Sequence, residues 1–183
     1  MTTSSKTTDS IILAGGCFWC LEAIFKRLQG VTSVISGYTG GTVANPSYTE
    51  VCSGSTGHAE AVQITYDTTN ISLQELLDIF WKFHDPTTLN QQGADMGTQY
   101  RSAIFYSNEQ QRQIAFDSKH DLEQSAMYPD PIVTEITKLD IFYPAEQKHQ
   151  NYYDQNKNQG YCRLVIDPKI EKLFKDYNDK LQK

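Results

Sequence analysis

The first apolar run, Ser-Ile-Ile-Leu-Ala at residues 10–14, is broken by the Gly15-Gly16 pair and reads as a short strand followed by a turn. Beyond the pair the period changes: Cys17, Leu21, Ile24, Phe25 and Leu28 lie three or four apart, so a helix opens at Cys17. Residues 31–38 alternate into a second strand that ends in Gly37 and the Gly40-Gly41 pair, and 42–58 read as a polar loop. Residues 60–66 alternate strictly, putting Val62, Ile64 and Tyr66 on one face with Glu60 in phase. Ser72 and Glu75 form a capping box, Ile71 and Leu76 sit as its staple, and Leu73, Leu77 and Phe80 extend the stripe until His84, before Pro86. A second loop at 85–100 precedes a strand at 102–106 and a helix launched by Ser107 and Gln110. One strand region is expected at 132–143 and a tyrosine-rich helix at 145–156. Asp167-Pro168 stand as N-cap and first turn of a last helix carrying Ile170, Leu173, Phe174, Tyr177 and Leu181.

This order suits an α+β fold, a two-layer sandwich of helices on a mixed sheet, related to the split βαβ (ferredoxin-like) arrangement and followed by an extended C-terminal segment. With 183 residues the chain is expected to form one domain over 1–183, with 1–8 disordered. A net charge of -6 argues against a nucleic-acid partner. The polar start and the lack of an apolar stretch of about 18 residues point to a cytoplasmic, membrane-free monomer. Four cysteines are too few to scaffold a chain of this length, so their role is expected to be chemical.

Cys17 and Cys20 in Gly-Gly-Cys-Phe-Trp-Cys lie one helical turn apart, at a Cα separation of roughly 5–6 Å that a disulfide can span. A helix N-terminus is expected to lower the pKa of Cys17 and favour its nucleophilic thiolate. Three other readings compete: half of a zinc site, an inert buried pair, or a thioredoxin-like redox motif. Zinc lacks a second pair of ligands at suitable spacing. Phe18 and Trp19 could wall an apolar pocket for a methyl or thioether group, or simply pack in the core.

Further blocks change the weighting. Gly16-Cys17-Phe18-Trp19, Tyr48-Thr49-Glu50-Val51-Cys52-Ser53-Gly54, Thr56-Gly57-His58-Ala59-Glu60-Ala61-Val62 and His84-Asp85-Pro86 are followed by Asp95-Met96-Gly97-Thr98-Gln99-Tyr100-Arg101-Ser102. Phe142-Tyr143-Pro144-Ala145-Glu146, His149-Gln150 and Gly160-Tyr161-Cys162 complete the series. In this order the chain resembles peptide methionine sulfoxide reductase of class A.

The resemblance implies reduction of methionine-S-sulfoxide, free or in proteins, with Cys17 as nucleophile becoming a sulfenic acid. It implies Glu60 as the acid facing the sulfoxide oxygen, with a pKa raised by burial, and Tyr48 and Tyr100 as hydroxyl donors to that oxygen. It implies Phe18 and Trp19 as the methyl pocket and Asp95 and Tyr152 as substrate-lining residues. His58, His84 and His149 are read as structural hydrogen-bonders and Cys52 as a small core residue. No metal and no bound cofactor is implied; electrons come from thioredoxin, or from dithiothreitol in vitro, through a disulfide formed each cycle. Proximity favours Cys20 as the thiol that clears the sulfenic acid and alignment favours Cys162, with a relay between them also open; the balance leans to Cys20. The chain departs from the family's glycine-rich tail, since Arg-Leu-Val-Ile-Asp-Pro-Lys and a helix follow Cys162.

Overall fold

The computed structural model describes residues 7–183. Of the stretch expected to be disordered, residues 1–6 lie outside the described residues, whereas Thr8 already pairs with Asp67 as the start of the first strand. Strands β1 (Thr8–Ala14), β2 (Val31–Thr39), β3 (Ala59–Asp67), β6 (Ala103–Tyr106), β7 (Glu135–Lys138) and β8 (Phe142–Pro144) form one sheet in the order β7-β6-β1-β3-β2-β8. β6 and β7 are parallel and the other neighbours antiparallel, so the sheet is mixed as expected. β4 (Gln91–Gln92) and β5 (Asp95–Met96) make a separate small hairpin.

Period-two alternation sorts the side chains. Ile11 and Leu13 of β1, paired with Ile64 and Val62 of β3, join the large core beneath helices α1 (Phe18–Phe25), α3 (Leu73–Phe83), α4 (Glu109–Gln124) and α6 (Asp167–Asp176). Ile12 and Ala14 face the other way, into a smaller cluster with Ala59, Ala61, Ala103 and Phe105. Eight residues are too few for a stable isolated helix, so α1 depends on packing. Its Leu21, Ile24 and Phe25 are essentially fully buried, each contributing about 2 kcal/mol.

Several boundaries differ from expectation. The 42–58 loop contains a short helix, α2 (Tyr48–Cys52), whose Ser47 and Glu50 form a capping box. The cap of α4 is Asn108, accepting from the Gln111 N–H, instead of Ser107. The single strand expected at 132–143 is two strands, on opposite edges of the sheet. The expected helix at 145–156 is a 3-10 turn at Gln147–His149 and one turn of helix, α5 (Tyr152–Gln155).

Asp167 is not an N-cap. A wide π-type turn at Cys162–Ile166 leads directly into α6, because Pro168 has no N–H to give and the backbone before it takes the wider spacing. The expected last helix is present as α6, preceded by the π-type turn, and the C-terminal segment closes by an antiparallel bridge from Leu181 to Leu28.

Candidate active site

The site begins where β1 gives way to α1. Gly16 has φ +93°, and a Cβ there would lie 2.6 Å from Gln92 Cγ, so both backbone and neighbour demand glycine. Cys17 then takes the N-cap position with extended backbone and no side-chain cap, leaving the first amides of α1 to other acceptors. Glu60, on the buried face of β3 in phase with Val62, supplies one: its Oε2 accepts the Phe18 N–H at 3.0 Å. At 1% exposure, burial pushes the Glu60 carboxyl up to about 8, against the Phe18 amide and helped by the charges of Asp95 and Cys20. It is a protonated acid at neutral pH.

The two thiols differ from expectation. Burial holds Cys17, 7% exposed, well above its ordinary value, with the Cys20 sulfur and the Glu60 charge adding; the Trp19 amide opposes and loses. Burial thus outweighs helix placement at Cys17. Cys20 moves the other way, to about 7, because Cys17 donates a hydrogen bond to it; burial opposes this, and Lys169 and the Tyr161 hydroxyl help it.

An aromatic group surrounds the thiols. Trp19 stacks on Tyr152 with ring centroids 3.6 Å apart and planes 7° apart, and donates its Nε1–H to His149 Nδ1 at 3.3 Å. Phe18 is fully buried and lies 6.2 Å from the Tyr48 ring, so it forms the inner wall while Trp19 keeps exposed surface. Tyr48, from α2, and Tyr100, at the end of the 3-10 turn Thr98–Tyr100, are half-buried. Burial, then the Glu60 charge, pushes both phenols far up, so each keeps its proton and remains a donor.

A cleft of about 340 Å³ opens on the other side of the pair, lined by Cys17, Cys20, Asp95, Tyr161, Leu164 and Lys169 among others. Asp95, carried by the β4–β5 hairpin, accepts the Tyr161 hydroxyl at 2.6 Å, and that hydroxyl lies 3.9 Å from Cys20 Sγ. Gln92 fixes the hairpin, exchanging two hydrogen bonds with the Asp85 backbone at 2.9 and 3.1 Å.

The structure thus brings Cys17, Cys20, Phe18, Trp19, Tyr48, Glu60, Asp95, Tyr100 and Tyr152 together. Cys162 is fully buried in the π-type turn, packed against α1, and its thiol is raised by burial. All four cysteines are free.

Cys52 is not a core residue: it is half-buried at the end of α2. His58 bonds Gly41 N–H and Val43 O, and His84 bonds Phe80 O and Ser102 Oγ, both away from the thiols. His149 is different, since it lies among the rings of Phe18, Trp19 and Tyr48. Sequence reasoning missed Tyr161, Lys169 and Gln92. Of these only Tyr161 had a signal, its place in the Gly-Tyr-Cys block. Among the described residues no group of three or more His, Cys, Asp or Glu is disposed to hold a metal ion, and no helix is long and apolar enough to cross a membrane.

Comparison with known proteins gives the site its context. The family profile of peptide methionine sulfoxide reductase matches residues 9–182. The peptide methionine sulfoxide reductase MsrA of Saccharolobus solfataricus is 52% identical over 93% of this chain and 95% of its own length. The reduced form of Mxr1 from Saccharomyces cerevisiae has a similar structure, with a TM-score of 0.79 and 34% identity over 88% of this chain and 92% of that one. A further structure, Mxr1 in complex with Trx2, shares the fold at a TM-score of 0.56 and 24% identity, covering 83% and 89% of the two chains. With a family match over nearly its whole length and half its residues shared with such a relative, the chain belongs to the peptide methionine sulfoxide reductases, oxidoreductases that return methionine sulfoxide to methionine.

Proposed function

We propose that this chain reduces the S epimer of methionine sulfoxide, free or in oxidised proteins, with Cys17 as nucleophile and Glu60 as acid. The observation that carries the proposal is the buried Glu60 carboxyl, protonated at neutral pH and bonded to the amide next after Cys17. In the reaction the Cys17 sulfur attacks the sulfoxide sulfur, Glu60 gives its proton to the departing oxygen, and the Cys17 proton restores the acid. The new S–S bond and the sulfoxide S–O bond then break as the protonated oxygen passes to the Cys17 sulfur, so the sulfoxide gains two electrons and leaves as methionine while Cys17, losing the same two, becomes a sulfenic acid. Tyr48 and Tyr100, their protons held by burial, supply hydroxyls toward that oxygen. Trp19, Phe18, Tyr152 and Asp95 shape the place where the substrate methyl and backbone rest.

A second thiol attacks the sulfenic acid, forming a disulfide and releasing water. The one-turn separation of Cys17 and Cys20, with the Cys20 N–H bonded to Cys17 O at 3.1 Å, and the depressed Cys20 pKa favour Cys20 in this role, whereas Cys162 must leave a helical turn to reach Cys17. A thioredoxin dithiol then reduces the disulfide, as the Mxr1 complex with Trx2 suggests. Four free cysteines suit a reducing compartment such as the cytoplasm. The core order β6-β1-β3-β2, with α1 and α3 as crossovers, supports relating the fold to the split βαβ arrangement.

The test is dithiothreitol-driven turnover of separated epimers of a blocked methionine sulfoxide. Consumption of the S epimer alone is expected; use of the R epimer alone, or of neither, defeats the proposal. For recycling, mass spectrometry after one substrate equivalent should find Cys17–Cys20 in wild type and in Cys162→Ser. A first-formed Cys17–Cys162 bond in wild type would reverse the assignment.

A further inference from the structure

Glu22 is a second buried carboxyl close to the site. It is 2% exposed, on a helix whose other residues nearby are apolar, where an unpaired charge would cost several kcal/mol. Its Oε1 accepts the Asn151 N–H at 2.7 Å. Asn151 is the N-cap residue of α5 and adopts a left-handed conformation (φ 53°, ψ 33°) with no side-chain cap of its own. Glu22 therefore caps α5 from outside, bonding the N-cap amide as the glutamate of a capping box does. Lys26 clamps the same turn at the surface, donating to Asn151 Oδ1 at 2.7 Å and Asp154 Oδ2 at 2.6 Å, and Arg27 bonds Asp154 Oδ1 at 2.6 Å.

The residue so capped is Tyr152, whose ring lies 3.6 Å from Trp19. Trp19 precedes Glu22 by three residues, so both rise from one face of α1. A single helix turn thus carries the indole and the acceptor that lays Tyr152 upon it. The left-handed turn is disfavoured for asparagine by roughly 1–3 kcal/mol and persists only where its surroundings hold it; the Glu22 bond to the Asn151 amide supplies that hold.

We propose that Glu22 is a positioning residue for substrate binding: by capping α5 it fixes Tyr152 against Trp19 and sets the outer wall of the methyl-sulfoxide pocket. The proposal rests on Trp19 and Tyr152 lining that pocket, and a double-mutant cycle separates the two ideas. In single-turnover kinetics with methionine-S-sulfoxide, Tyr152→Ala and Glu22→Ala are each expected to raise the half-saturating concentration about tenfold, with the saturating rate changed less than twofold. The double variant should bind no worse than Tyr152→Ala alone. Glu22→Gln, which keeps an acceptor but not the charge, should weaken binding only about threefold, and that too should vanish when Tyr152 is alanine. If Glu22→Ala does not fold, the Glu22→Gln cycle carries the test.

Losses that multiply in the double variant, an unchanged half-saturating concentration, or a fall confined to the saturating rate would overturn the role of Glu22. If Tyr152→Ala itself leaves binding unchanged, the reading of Tyr152 as a pocket wall has failed.

Discussion

Glu60 combines 1% exposure with titration near pH 8, and both chemistry and stability follow from that. Its acid form predominates below about pH 8, so the rate of the first turnover should fall as pH rises through 8. In the unfolded chain the group titrates near 4.3. Between roughly pH 4.5 and 8 the folded protein therefore holds a proton that the unfolded one releases, and its contribution to stability, full below that window, is lost progressively as pH rises through it and is gone above 8. Glutamine is neutral at every pH. Glu60→Gln should slow the first turnover by about 10²–10⁴-fold and lessen the fall of Tm between pH 6 and 8.5. Stopped-flow kinetics and thermal scans at the two pH values check this; a variant whose Tm falls as steeply as wild type would remove Glu60 as the cause. The burial of Glu60 was legible, because it alternates in phase with Val62, Ile64 and Tyr66, whereas its part as the acid came from the resemblance. Sequence alone misjudged Cys17, since burial and a neighbouring carboxyl are tertiary facts that no helix position reveals.

Elements were legible where apolar periodicity and capping agree. Ser72 and Glu75 make their box as expected, and α3 ends at His84. In α2 the same kind of box at Ser47 and Glu50 stands alone, because only Val51 of that helix is buried and no stripe announces it. The 132–143 run was misread for another reason. Alternation is local, whereas choice of sheet edge is not: β7 follows β6 and β8 follows β2, and the Leu139 N–H to Tyr106 O bond ends the first pairing. The turn into α1 offers a test at this scale. Gly16→Ala must adopt φ +93° and meet Gln92, which holds the hairpin carrying Asp95. It should cost roughly 2 kcal/mol in urea unfolding and weaken substrate binding as well. An unchanged unfolding midpoint would show that the turn can relax without the hairpin.

Across the whole molecule, distant parts of the chain converge on α1. Its N-terminal end meets β3 through Glu60, its middle holds α5 through Glu22, and the turn beyond it is bridged by Leu181. The cleft beside Cys17 and Cys20 is completed by Tyr161, Leu164, which is 81% exposed, and Lys169. This arrangement has a consequence for the making of the protein. The two thiols leave the ribosome about 140–150 residues ahead of Tyr161 and Lys169, which flank them in the fold. At about 5–20 residues per second, the thiols wait roughly 7–30 s for that side of the cleft. During each round of synthesis the nascent chain thus carries an unfinished thiol pair, open to the same oxidants whose damage the finished enzyme repairs.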